Sequence, residues 1–207
     1  MDVRERVVLL GSGGHARSVA DSIMSGSKAS ILGTVAPSGE VGYCSIPWLG
    51  DDGVLPELRR QGVTAAHIAI GYLGKGDVRP RIRAELESLG YQLFTVVDTD
   101  AVLAQDCSLG NGVFVAKGAV INARARVGDV AIINTGSVIE HDCIVGDYSH
   151  VSVGAVLCGG VMIGRSVLVG ASATILQGRS IGDGAIIGAG SLVLHDVPPG
   201  EKVVGVF

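Results

Sequence analysis

"VFVAKGAVINARARVGDVAIINTGSVIEHDCIVGDYSHVSVGAVL", residues 113–157, carries an aliphatic side chain at every sixth place. Extended in both directions, the register runs Val97, Leu103, Leu109, Val115, Ile121, Val127, Ile133, Ile139, Val145, Val151, Leu157, Ile163, Val169, Ile175, Ile181, Ile187 and Val193. All seventeen positions are Val, Leu or Ile, without a slip. Four places after each sits mostly Ala, Ser, Cys or Val, with Arg179 the clear exception. Gly often follows the aliphatic residue directly, as at Gly110, Gly128, Gly146, Gly164, Gly170, Gly182 and Gly188. A helical stripe recurs about every 3.6 residues and an ordinary strand alternates at two. A strict six fits neither. It predicts a β-helix, in which short strands and turns repeat and each aliphatic residue stacks on the next.

Residues 1–96 follow a different pattern. "RVVLL" reads as a short strand ending at "GSGGH", followed by the helical run "ARSVADSIM". "SILGTV", "AAHIAIG" and "YQLFTVV" read as further strands, with helices at "DDGVLPELRRQG" and "VRPRIRAELESLG". Strands alternating with helices predict a small Rossmann-like parallel α/β domain. The chain therefore divides into an α/β domain at 1–96 and a β-helix at 97–207.

Bulk composition narrows the function. Of the 207 residues 47% are apolar but only 4% aromatic, and the net charge is −4. There is no basic footprint for nucleic acid or an anionic membrane. Any anionic ligand must be held by local groups. The four cysteines, Cys44, Cys107, Cys143 and Cys158, form no CxxC spacing and read as small buried thiols in a reducing compartment. No apolar run reaches the roughly 18 residues of a membrane span. A cytoplasmic protein is expected.

Two places carry chemistry. Gly11, Ser12, Gly13, Gly14 and His15 lie between a strand and a helix, where backbone N–H groups and the helix dipole favour a phosphate. As a dinucleotide fingerprint the loop is partial, because no acid follows the second strand before Glu40. A phosphate-bearing ligand without nicotinamide fits better. The second place is "NTGSVIEHDCIVGDYSHVSVG", where His141 and His150 fall outside the inward aliphatic register. Glu140, Asp142 and Asn134 are close in sequence, and a carboxylate orients an imidazole and sets its tautomer. Histidine suits a general base at neutral pH. A zinc site would need three convergent histidines, whereas His141 and His150 are one and a half rungs apart, and His195 and His67 lie elsewhere. No metal is expected. "VRPRIRAELE" reads as a solvated helix face, and Trp48 as a packing anchor or loop cover.

The repeat resembles the left-handed parallel β-helix of the hexapeptide-repeat acyltransferases. That resemblance implies eighteen residues per triangular coil, and a homotrimer with active sites between subunits. With "GSGGH" and "INTGSVIEHDCIVGDYSHVSVGA" together, the chain is similar to the nucleotide-sugar acetyltransferases of the bacillosamine, perosamine and sialic-acid groups. The resemblance implies acetyl-CoA as co-substrate and His141 as the general base, with Asp142 as its acidic modulator and Asn134 near the reacting centre. His150 and Gly159 would lie at the thioester, and Ala171 and Ala189 along the pantetheine groove. Gly11, Ser12, Gly13, Gly14, His15 and Gly71 would line the nucleotide-sugar site. The implied reaction is N-acetylation of the 4-amino group of a nucleotide-linked amino-deoxy sugar, UDP-linked by preference, in bacterial surface-glycan synthesis. Two alternatives stay open: a sialic-acid-type O-acetyltransferase, and a non-catalytic trimer that only binds nucleotide sugar. Members of the family usually carry one or two Asp after the second strand, where this chain reads Gly33-Thr34-Val35-Ala36-Pro37; the base is therefore not specified.

Overall fold

The computed structural model describes residues 5–26, 29–38 and 43–207; Glu40 lies outside them. Contacts group the chain into two units: Met1–Gly71 with Val78–Thr99, and Tyr72–Asp77 with Asp100–Phe207. None of the helices among the described residues is long and apolar enough to cross a membrane.

In the first unit the strands are β1 (Glu5–Leu10), β2 (Ala29–Val35), β3 (Trp48–Gly50), β4 (Ala65–Ile68) and β5 (Gln92–Leu93). They form one all-parallel sheet in the order β3-β2-β1-β4-β5. Helices α1 (Gly14–Ser25), α2 (Leu55–Arg60) and α3 (Arg79–Ser88) connect them. Val7, Val8, Leu9 and Leu10 of the central strand are all buried, as a parallel strand covered on both faces requires. Because β2 lies on one side of β1 and β4 on the other, the order in which strands are added reverses at the carboxyl end of β1. Such a switch opens a crevice there.

Two expectations need correction, and one strand was not anticipated. The strand read as "YQLFTVV" breaks into Gln92–Leu93 and Val96–Val97. The three-residue edge strand β3 escaped the sequence pattern because it is too short to alternate. Helix α3 is not solvated throughout. Arg79 is fully buried, while Arg81 pairs with Asp52 at 3.6 Å and Glu85 at 3.3 Å, and Arg83 pairs with Glu87 at 2.7 Å. Trp48 is half exposed and its indole Nε1 donates to the Ala36 carbonyl at 3.1 Å, so it braces the loop after β2.

The second unit is a left-handed parallel β-helix. Two-residue strands pair with the strand eighteen residues on, as in Val120↔Val138↔Val156 and Arg126↔Ile144↔Met162. The sixfold aliphatic positions fill its interior, packed with the small residues four places later. Burial begins partway at Leu103 and Leu109 and is complete from Val115 to Val193. Val97, the first position of the register, is 39% exposed, with no earlier coil to cover it. Inward polar atoms are satisfied, for the Ser137 hydroxyl donates to the Asn134 carbonyl and that of Ser149 to Gly164.

Tight stacking explains the glycines after the aliphatic position. A Cβ on Gly146 would lie 2.5 Å from the carbonyl oxygen of Gly164 in the next coil. At the same corner Asp147 accepts from the Asp129 amide and Asp183 from the Arg165 amide, at 2.8 and 2.7 Å. At the other end of each hexad, every sixth residue from Gly112 to Gly190 has positive φ. Six of those corners are not glycine: Arg124, Val130, Asp142, Tyr148, Ser166 and Ser172. Each such residue costs roughly 1–2 kcal/mol against glycine. The cysteines depart from expectation: only Cys143 is buried, Cys107 and Cys158 are partly so, and Cys44 is exposed. All four are free thiols.

Candidate active site

In the first unit, a crevice of about 380 Å³ lies at the carboxyl end of β1 and is lined by the whole glycine loop, Ala36–Ser38 and Ala69–Gly71. Gly11 has φ of +121°, and a Cβ there would stand 2.7 Å from the Ala69 carbonyl oxygen, so the turn admits no side chain. Gly13 and Gly14 are different. A Cβ on either would meet nothing within 4 Å. Packing does not demand glycine at these two places, whereas a backbone that must let a ligand approach closely does. Gly13 caps α1 without a side-chain hydrogen bond, and the first turn holds no acid. The helix therefore turns the positive end of its dipole to the crevice. His15 lies beside Gly71, whose Cβ position is 3.7 Å from the His15 Cβ. Sequence reasoning missed Ser38, whose carbonyl accepts from the Ser12 hydroxyl at 3.4 Å. The same unit buries His67, whose Nδ1 donates to the Phe94 carbonyl at 2.7 Å; burial pushes its pKa down to about 4, the hydrogen bond opposing.

In the second unit the predicted residues fall into two groups. His141 stands at a corner of the β-helix, its side chain 62% exposed. Its Nδ1 is 2.9 Å from Asp142 Oδ2. A carboxylate can only accept, so Nδ1 carries the proton and Nε2 of the neutral ring is left as the base atom. The hydrogen bond from His141 holds the Asp142 carboxyl below the usual carboxylate range, and the Arg124 guanidinium, 3.1 Å from Oδ1, adds to this. The ring lies directly over Gly159: a Cβ there would be 2.7 Å from both Cε1 and Nε2. The Gly159 carbonyl accepts from the Gly178 amide at 3.0 Å, while its own N–H has no backbone partner among the described residues. His141, Gly159, Gln177 and Gly178 line a shallow groove of about 400 Å³.

His150 and Asn134 form the second group. His150 is only 6% exposed and pairs across the sheet with the strand at Ile132. Its Nδ1 donates to the Tyr72 carbonyl at 2.8 Å, so Nε2 is the acceptor, and the Asn134 amide donates to it at 3.0 Å. Asn134 Oδ1 in turn accepts from the Thr135 amide. Tyr72 belongs to the segment that packs on the β-helix, with its hydroxyl on the Ser166 carbonyl at 2.9 Å. Within one chain, then, the structure brings His141, Asp142 and Gly159 together at one corner of the β-helix, and His150 with Asn134 elsewhere on it. Ala171 and Ala189 stack one coil apart at the corner that also holds Asn134 and Thr135, where the Gly190 amide donates to the Ala171 carbonyl at 2.8 Å.

Arg124, Gln177 and Tyr72 were not anticipated. Eighteen-residue spacing could have found the first two, since it places Arg124 beside Asp142 and Gln177 beside Gly159. No local signal links Tyr72 to His150, 78 residues away. Among the described residues no three His, Cys, Asp or Glu side chains are grouped to hold a metal.

Comparison with known proteins extends this picture. A bacterial transferase hexapeptide (six repeats) family matches residues 160–195, and a PglD N-terminal domain family matches residues 6–86. No curated protein matches the chain. Among solved structures, PerB from Caulobacter crescentus, in complex with CoA and GDP-perosamine, is 35% identical, with a TM-score of 0.90 over 96% of this chain and 93% of that one. The acetyltransferase domain of PglB from Neisseria gonorrhoeae FA1090, in complex with acetyl coenzyme A, is 27% identical, with a TM-score of 0.90 over 98% and 97%. WeeI from Acinetobacter baumannii AYE is 26% identical, with a TM-score of 0.79 over 96% of each.

Proposed function

This chain belongs to the hexapeptide-repeat nucleotide-sugar N-acetyltransferases, and from that premise we propose that it moves the acetyl group of acetyl-CoA onto the 4-amino group of a nucleotide-linked amino-deoxy sugar. The observation that carries this reading is the corner at His141. Its Nδ1 is occupied by Asp142, so the unprotonated Nε2 lies over Gly159 in an open groove. The sugar amine attacks the thioester carbonyl, the C–N bond forms, and His141 Nε2 takes the amine proton. The Gly159 N–H, with no other backbone partner among the described residues, donates to the oxyanion. Collapse breaks the C–S bond, and the proton passes from His141 to the departing thiolate.

In this reading residues 1–96 bind the nucleotide sugar and 97–207 form the acetyl-CoA-binding catalytic domain. Gly11, Ser12, Gly13, Gly14, His15 and Gly71 take the nucleotide sugar; the open space before Gly13 and Gly14 and the uncapped α1 amides support a diphosphate there. Ala171 and Ala189, stacked and small, leave room for a pantetheine arm. His150 has protein partners on both ring nitrogens, so its role at the thioester is to fix Asn134 rather than to donate a hydrogen bond itself. A UDP-linked sugar is the first candidate, and the GDP-perosamine held by the Caulobacter relative sets the second. The protein acts as a cytoplasmic homotrimer with sites between subunits. One outer sheet face, Val102, Val120, Val138, Val156, Thr174 and Leu192, is an apolar column that a second copy would cover.

Mass spectrometry of products from acetyl-CoA and UDP-, GDP- and dTDP-linked 4-amino-4,6-dideoxy sugars tests the proposal. One sugar should gain a single acetyl group that survives hydroxylamine, as an amide does. A hydroxylamine-labile ester would favour O-acetylation, and no acetyl transfer to any amine would refute the proposal.

A further inference from the structure

We propose that Arg124 is a positioning residue for acetyl transfer, acting on His141 through Asp142; the inference rests on the reading of His141 as the general base. The two oxygens of Asp142 are divided between two partners. Oδ2 accepts from His141 Nδ1 at 2.9 Å, and Oδ1 accepts from Arg124 Nε at 3.1 Å. A carboxylate held at one oxygen alone can pivot about its Cβ–Cγ bond. Held at both, it fixes the plane in which the imidazole must lie.

Arg124 is itself anchored. It stands one coil before Asp142 at the equivalent corner, and its backbone amide donates to Asp106 Oδ1 at 3.2 Å. Both Arg124 and Asp142 have φ of 60°, in a column that has glycine at 160 and 178. Glycine would occupy that corner at least cost, so stability does not explain an arginine there. Nor does burial, since the Arg124 side chain is 75% exposed. An ion pair so open to water adds little to stability. What the arginine does supply is geometry at the carboxylate bonded to the His141 ring. Arginine suits this task because its planar fork directs donors rigidly.

Steady-state kinetics on the intact protein, with acetyl-CoA and the amino sugar it turns over, provide the test. Arg124→Gln should lower kcat about tenfold while KM for both substrates stays within about twofold. Arg124→Lys should recover part of that loss. In an Asp142→Ala background, Arg124→Gln should have no further effect, because the carboxylate that links it to the base is gone. An Arg124→Gln enzyme within twofold of wild-type kcat would overturn the inference. So would a change confined to KM, or an undiminished loss in the Asp142→Ala background. His141→Ala, assayed alongside, separates the two ideas: full activity there overturns the underlying base assignment, whereas a dead His141→Ala beside a normal Arg124→Gln overturns the positioning role alone.

Discussion

Gly159→Ala is the most informative single change. The added methyl would sit 2.7 Å from Cε1 and Nε2 of His141, where ordinary carbon contacts are about 3.5–4.0 Å. The ring must therefore retreat by roughly 0.8–1.3 Å or turn about its side-chain bonds. Either movement disturbs the 2.9 Å bond from Nδ1 to Asp142 and lifts Nε2 off the groove. A misplacement of about 1 Å at a reacting group typically costs about a hundredfold, equivalent to roughly 2.7 kcal/mol. The backbone should be untouched, because Gly159 does not have a positive φ and its carbonyl keeps the Gly178 amide. The assay is kcat at saturating acetyl-CoA and amino sugar, beside a thermal melt. A drop near a hundredfold with an unchanged melt is expected. A folded Gly159→Ala enzyme within about threefold of wild type would refute the placement of the base over this glycine.

Two further predictions concern stability. His67 is neutral in the fold, with its pKa pushed from the ordinary 6.5 to about 4 by burial. Its contribution is complete above about pH 6.5 and is lost as pH falls towards about 4, because the unfolded chain binds the proton first; the full effect is roughly 3 kcal/mol. Denaturant unfolding across that range should show the loss in wild type and a flatter acid arm in His67→Gln, and parallel arms would contradict it. Ser166→Gly relieves a left-handed corner while keeping the backbone carbonyl that Tyr72 uses. It should raise stability by about 1 kcal/mol, or Tm by roughly 2–4 °C, and a lower melt would count against strain at that corner.

The β-helix was legible because its rule is local and repeated: one inward aliphatic residue per hexad, seventeen times. Periodicity does not show how deeply each position is covered: Val97, Leu103 and Leu109, at the start of the register, are only partly buried or exposed. The corners were half visible. Glycine marks Gly136 and Gly154, but nothing at Val130 or Tyr148 betrays the same backbone turn, because stacking imposes it on whatever residue arrives there. In the α/β unit, the glycine loop and the central strands could be read, while β3 is too short to alternate and the break before Val96 leaves no mark in the apolar pattern. At the site, adjacency in sequence revealed His141 with Asp142. The contacts to Arg124 and Gly159 follow only once a coil is known to be eighteen residues long. Tyr72 reaching His150 had no signal at all.

The central claim is that His141 accepts a proton from an attacking sugar amine. Release of CoA thiol should be followed with acetyl-CoA and the preferred 4-amino sugar nucleotide, comparing wild type with His141→Ala at matched, saturating concentrations. The account predicts rapid release by wild type and a fall of at least about a hundredfold in kcat for the variant, with the fold intact. Equal turnover by the two proteins would contradict it.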